Sequence, residues 1–167
     1  MKRVFIALGS NIEPKLNYLQ KALELLNLIG NITKISPVYK SDAYGLKDQP
    51  DFYNCACILL TDLSPLKLLK KIKEFELAIG RTTKQRWGPR EIDIDIIFFG
   101  DKVIRNEHLS IPHYDYQNRK FVLQPIVDID SSLIAPDTKK SIIQVMEECK
   151  DDTKLELVET DWVDSWN

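Results

Sequence analysis

Apolar residues in this chain fall into short dense runs that alternate with stretches of helical spacing. Residues 2–8 (KRVFIAL) predict a strand that stops at a Gly9-Ser10-Asn11 turn. Residues 14–29 predict a helix: Pro14 suits a first turn, and Leu16, Leu19, Leu23 and Leu26 recur at helical spacing. Gly30-Asn31 reads as its end. Ile32–Tyr39 is strand-like, and residues 41–51 form a polar loop broken by Gly45 and Pro50. Residues 52–60 (FYNCACILL) predict another strand. Ser64-Pro65 then opens a second helix that Gly80 closes, with Leu66, Leu69, Ile72 and Phe75 or Glu76 on its periodic positions. A basic loop over 81–90 leads into a strand carrying Asp93 and Asp95, turned at Gly100-Asp101, with Val103-Ile104 expected to pair back as a hairpin.

Through residue 99 the predicted order is βαββαβ. Two helices can then cover one face of a four-stranded antiparallel sheet, a ferredoxin-like α+β fold with additional C-terminal elements. In those elements Phe121–Ile129 is an apolar, packed stretch and Ser141–Cys149 a short helix. The tail from Asp151 is acidic and carries Trp162 and Trp166, either docked or mobile. No repeat or linker interrupts the 167 residues, so one domain spanning 1–167 is expected.

The balance of 23 Lys and Arg against 25 Asp and Glu gives a net charge of −2, which argues against non-specific binding to nucleic acid or an anionic membrane. A locally basic pocket stays possible. No apolar run reaches membrane-spanning length and no secretory signal precedes the first strand. Cys55, Cys57 and Cys149 lack metal-ligand spacing, and the first two read as small core residues, which favours a reducing cytoplasm.

The chemistry concentrates in RWGPREIDIDII, residues 86–97. Asp93 and Asp95 lie two apart, so both project from one face of a strand while Ile92, Ile94 and Ile96 take the other. Paired carboxylates repel each other and resist burial unless a cation joins them. Arg81, Lys84, Arg86 and Arg90 precede the pair, and His113 and Arg119 follow. Carboxylates, a hard divalent ion and several guanidiniums together suit a polyphosphate. No Walker loop and no protein-kinase signature is present, so a nucleotide site has to be built from residues 81–121. Ser110–Asp115 reads as a loop broken by Pro112, offering His113 and Tyr114 as phosphate donors. Phe52 and Asn54 share a strand face and could stack on, and hydrogen-bond to, a flat heterocycle. Blander readings stand beside these: a wetted edge strand, a plain turn at Gly9, a surface histidine, a core phenylalanine at Phe52 and a surface glutamate at Glu76.

The chain resembles the 6-hydroxymethyl-7,8-dihydropterin pyrophosphokinase family of folate biosynthesis. The resemblance is carried in order by ALGSN (7–11), QPDFYN (49–54), FELAIGR (75–81), RWGPREIDIDII (86–97) and IPHYDYQNRKFVLQP (111–125). It implies a ferredoxin-like domain, with ATP and two Mg2+ ions, that transfers pyrophosphate to the pterin hydroxymethyl group and releases AMP. It further implies that Asp93 and Asp95 bind the metals. Arg81 and Arg90 serve the transfer, while Glu76, Lys84, Trp87, Ser110, His113, Tyr114 and Arg119 attend the nucleotide. The pterin falls to Phe52, Phe121 and Asn54 with Ser41, Asp42, Ala43, Tyr44 and Gly45. SDAYG (41–45) stands where familiar members have a proline-rich segment, and TTKQ (82–85) makes a shorter basic loop. A monomer acting on small molecules is expected. The competing readings are another Mg2+-dependent phosphotransferase or nuclease on the same fold, and a non-catalytic binding module.

Overall fold

The computed structural model describes residues 1–43, 48–82, 88–158 and 160. The chain runs β1 (Lys2–Ser10), α1 (Lys15–Asn27), β2 (Asn31–Ile35), β3 (Val38–Ser41), β4 (Phe52–Thr61), α2 (Pro65–Ile79) and β5 (Asp93–Phe99). It continues through β6 (Ile104–Arg105), β7 (Ser110–Ile111), a single 3-10 turn at Tyr116–Asn118, α3 (Lys120–Ile129), α4 (Ile142–Glu148) and β8 (Glu156–Val158). The antiparallel sheet has the order β5-β1-β4-β3-β8, with β2 also paired to β4. This is a ferredoxin-like arrangement with an extra edge strand. Among the described residues no helix is long and apolar enough to cross a membrane.

The expected strand over 32–39 is two strands. Pro37 has no N–H to donate, and Ser36 instead turns its side chain onto the neighbouring backbone: its Oγ donates to Pro37 O and accepts from Ala56 N. Both pieces then pair with successive parts of β4. Gly30 is needed for space rather than as a helix cap, since a Cβ there would come within 2.5 Å of Leu60 O. Gly80 does close α2, in the left-handed conformation at φ 116°, and Ser64 caps its start.

The sheet is covered on both faces, not one. On the first, α1 and α2 press Leu19, Leu23, Leu26, Leu68 and Ile72 onto Ile6, Leu8, Cys57, Ile94 and Ile96. On the second, α3 and α4 press Val122, Leu123, Ile126, Ile142 and Val145 onto Phe5, Ala56, Ile58, Ile97 and Phe98. Double coverage explains why β1 and β4 read as near-continuous apolar runs rather than alternating ones. Residues 121–129, read only as packed, belong to helix α3, whose apolar stripe makes the second core.

The pairing of β1 with β5 shifts register between Phe5 and Ile6, opposite Ile97. This bulge turns both Ile97 and Phe98 into the second core, while Asp93 and Asp95 keep to that same face farther up the strand. The Ile97 carbonyl accepts from His113 N at 3.0 Å, which fixes the following loop to the sheet. Val103-Ile104 does not pair back on β5. Ile104 and Arg105 pair with Ile111 and Ser110, so the start of the expected 110–115 loop is a strand. β8 comes from the acidic tail and pairs with β3, and Trp162 and Trp166 lie outside the described residues.

Candidate active site

The topology brings the end of β1 and the beginnings of β4 and β5 together at one end of the sheet. Gly9 lies opposite Asn54 on one side and Asp93 on the other, and Ala7 opposite Asp95. A Cβ at Gly9 would meet Asn54 Oδ1 at 2.9 Å, so glycine keeps this strip of sheet bare. Gly9 and Ser10 are thus strand, not turn. Above this floor opens a cavity of about 290 Å³. Twelve of the proposed residues line it, among them Ser41 at the end of β3 and Asp42 just after it, Phe52 and Asn54 on β4, Arg81 and Arg90, the Asp93 and Asp95 pair, and His113 and Tyr114. Arg119 and Phe121, at the start of α3, also line it.

Asp93 and Asp95 face the cavity in very different company. Arg90 holds Asp93 Oδ2 at 2.9 Å and Arg81 holds Oδ1 at 3.2 Å. Asp95 has no hydrogen bond or ion pair among the described residues. Burial pushes its carboxyl up to about 7, the neighbouring Asp93 carboxylate adds to the rise, and Lys73 and Arg119 pull it back. A half-buried carboxylate that lacks a direct cationic partner is a place for a cation. Among the described residues no three or more His, Cys, Asp or Glu side chains form a metal cage. The pair therefore suits a hard ion that takes one or two carboxylates and completes its shell with water and phosphate oxygens, as Mg2+ does.

Glu76, Ser110 and Ala43 do not line the cavity. Glu76 is buried behind it: Lys73 reaches its Oε2 at 2.9 Å, Arg81 at 2.7 Å, and Ile94 N donates to its Oε1 at 2.8 Å. It therefore holds Arg81 and ties α2 to β5. Ser110 Oγ is engaged by Arg105 and itself donates to Pro112 O. Tyr44, Gly45, Lys84 and Trp87 lie outside the described residues.

The cationic wall continues on the far side. Arg119 is 8% exposed, donates through Nε to Asp115 Oδ2 at 2.8 Å, and stands 5.9 Å from the Tyr114 ring and 6.0 Å from the Phe121 ring. Burial and the Arg119 charge lower His113 to about 4, so its ring is neutral at ordinary pH. Asp115 N donates to His113 Nδ1, which leaves the ring proton on Nε2 as a donor. Asn54 Nδ2 donates to Ser41 Oγ at 2.9 Å, fixing the amide at the cavity floor.

Sequence reasoning passed over Lys73, which lines the cavity and pairs with Glu76 at i,i+3. That spacing on α2 was the available signal. It also passed over Gly9 as a floor residue and Val122 as part of the wall.

A family model described as 7,8-dihydro-6-hydroxymethylpterin-pyrophosphokinase (HPPK) matches residues 5–131. A protein of Haemophilus influenzae named 2-amino-4-hydroxy-6-hydroxymethyldihydropteridine pyrophosphokinase is 41% identical over 141 residues, covering 83% of this chain and 88% of that one. The protein of the same name from Aquifex aeolicus is 41% identical over 142 residues, covering 85% and 89%. Among solved structures, a wild-type Plasmodium falciparum HPPK-DHPS with pterin and p-hydroxybenzoate superposes with TM-score 0.70 at 16% identity. It covers 88% of this chain and 41% of that longer one, and shows likeness of fold.

Proposed function

The chain belongs to the 7,8-dihydro-6-hydroxymethylpterin-pyrophosphokinase family, and from that membership we infer its reaction. It transfers pyrophosphate from ATP, with Mg2+, to the hydroxymethyl group of 6-hydroxymethyl-7,8-dihydropterin and releases AMP, a step of folate biosynthesis. The hydroxyl oxygen bonds to the β-phosphorus and gives up its proton to water, the bond from that phosphorus to the α–β bridging oxygen breaks, and the bridging oxygen leaves with AMP. The observation that carries this reading to particular residues is the Asp93 and Asp95 pair facing a cavity walled by Lys73, Arg81, Arg90 and Arg119.

We assign Asp93 and Asp95 to Mg2+, which when bound neutralises phosphate charge and lowers the pKa of an attacking hydroxyl. Arg81 and Arg90 are assigned to the transferred phosphates. Arginine suits both, because its planar fork meets two oxygens at once. Neutral His113 donates from Nε2 to phosphate, and Arg119, Tyr114 and Lys73 complete the nucleotide side. Lys84 and Trp87 are assigned to the nucleotide on the resemblance alone.

The pterin side is assigned to Phe52, Phe121 and Asn54, with Ser41, Asp42, Ala43, Tyr44 and Gly45 around it. Phe52 and Phe121 belong to different elements, β4 and α3, yet both line the cavity, as stacking on a flat ring requires. Ala7 and Val122 add apolar wall that excludes water from the transfer. Glu76 acts through Arg81, as a positioning residue. Residues 1–167 act as one catalytic unit in the cytoplasm, a compartment in which the buried thiols of Cys55 and Cys57 stay reduced.

The test is incubation with ATP, Mg2+ and 6-hydroxymethyl-7,8-dihydropterin, with AMP and the pterin diphosphate both quantified. Equimolar AMP and diphosphate are expected. Release of ADP would mean a different phosphotransferase, and cleavage of a nucleic acid without ATP a nuclease.

A further inference from the structure

Asn11 is 1% exposed and does not line the cavity, yet its side chain joins the two segments that carry the opposite halves of the site. Its Nδ2 donates to Gln49 Oε1 at 3.0 Å and to Pro50 O at 3.1 Å. Its Oδ1 accepts from Arg90 N at 2.7 Å, and its own backbone N donates to Arg90 O at 3.1 Å. Both amide hydrogens and the carbonyl oxygen are therefore used. Residues 49–50 lead straight into Phe52 and Asn54, while Arg90 leads into Asp93 and Asp95.

We propose that Asn11 is a positioning residue that couples the two halves of the site, so that ordering the 88–91 segment around a bound nucleotide also sets the 48–51 segment for the pterin. The inference rests on the assignment of those two halves given above. Three features support it. The contacts span 38, 39 and 79 positions of sequence, so nothing local requires them. They are part-buried and start from a residue that is itself buried, where an unmade hydrogen bond is costly and geometry is held closely. They also start from the end of β1, a strand fixed between β4 and β5, so both segments are referred to one rigid point. Coupling between two sites is a single free energy shared by both ligands, and a residue bonded to both segments is a place where it can reside.

Asparagine is the residue that fits. Aspartate would still accept from Arg90 N, but its second oxygen would face the Pro50 carbonyl oxygen with no proton between them. Asn11→Asp therefore cuts one arm of the bridge and spares the other, and Asn11→Ala cuts both side-chain arms. Neither variant touches a group that meets ligand.

The experiment titrates the dihydropterin into wild type, Asn11→Asp and Asn11→Ala, with and without a saturating non-hydrolysable ATP analogue and Mg2+, and records the melting curve of each protein. Wild type should bind the pterin at least about tenfold more tightly with the analogue present. Asn11→Asp should keep its affinity for the analogue alone within about threefold while that tightening falls to about threefold or less. Asn11→Ala, with both arms gone, should behave no better. If a variant that melts as cooperatively as wild type keeps the full tightening, Asn11 is merely structural and the proposal is overturned. Wild type without any tightening overturns it equally. Failure of the assigned reaction would look different: a wild type that binds both ligands and forms no AMP from ATP.

Discussion

Arg90 and Asp93, three positions apart where the chain enters β5, are paired at 2.9 Å, and Arg81 takes the other oxygen of the same carboxylate at 3.2 Å. Both arginines assigned to phosphate are thus held at the cavity by a carboxylate assigned to Mg2+. Exchanging these internal pairs for metal and phosphate contacts keeps every charge compensated. Arginine contacts made in that exchange are then worth most at the transition state. Arg90→Ala should lower turnover by about ten- to a hundredfold, the equivalent of ~1.5–3 kcal/mol for a charge-assisted contact, with a smaller loss in ATP affinity. Arg90→Lys keeps charge without the fork and should restore part of the rate. Single-turnover rates and ATP dissociation constants decide between this and a ground-state clamp, which would lose affinity alone.

Phe121→Ala should weaken the pterin more than ATP, by about 1–3 kcal/mol if the ring stacks on the heterocycle. Phe121 lines the cavity and also packs on the second core. Calorimetric titration of each ligand separates the two roles, since equal losses for both would mark a packing residue.

Glu76 is 2% exposed and its carboxylate serves Lys73, Arg81 and the Ile94 N–H together. Glu76→Ala leaves the buried Ile94 N–H without an acceptor and removes the carboxylate that Lys73 and Arg81 share, although Arg81 keeps Asp93, and it should cost roughly 1–3 kcal/mol of stability. Glu76→Gln keeps an acceptor for Ile94 N and should cost less, while still loosening Arg81 and slowing turnover. Urea unfolding measures the first effect and steady-state rates the second. Equal stability of both variants with wild type would contradict the role.

Asp95 and His113 make stability depend on pH in opposite senses. Asp95 titrates at about 7 in the folded chain against an ordinary 3.8. Between these values the folded chain holds a proton that the unfolded chain has lost, so the Asp95 contribution falls as pH rises from about 4 to 7. His113 titrates at about 4 against an ordinary 6.5. The unfolded chain takes up that proton first, so the His113 contribution is full above 6.5 and is lost as pH falls toward 4. Ligand-free Asp95→Asn should melt higher than wild type at about pH 8, and His113→Asn should lose less stability on acidification below about pH 6.5. Thermal melts across this range check both, and profiles like wild type in both variants would contradict the assignments.

The sequence showed most plainly what depends on neighbouring residues. Alternation put Asp93 and Asp95 on one face because that relation needs only β5 itself, and Ser64-Pro65 and Gly80 marked α2 through local caps. What it did not show depends on contacts far along the chain. Residues 121–129 are apolar in most positions and contain Pro125, so neither helical period nor length separated a helix from a packed extended stretch. β8 has no strand signal of its own and forms because the free edge of β3 accepts it. Asn11 reads as a turn residue until Gln49, Pro50 and Arg90 are seen around it. Glu76 reads as a surface residue because its burial comes from β5 and Arg81, not from its place on α2.

The most direct test of the central claim is AMP formation by Asp95→Ala with ATP, the dihydropterin and saturating Mg2+. The Asp93 and Asp95 pair is assigned the metal on which pyrophosphate transfer depends, and losing that charge should cost several kcal/mol at the transition state. The account predicts a variant that unfolds as cooperatively as wild type, still binds the pterin, and forms AMP at least about a thousandfold more slowly. A folded Asp95→Ala protein that forms AMP at a rate near wild type would contradict it.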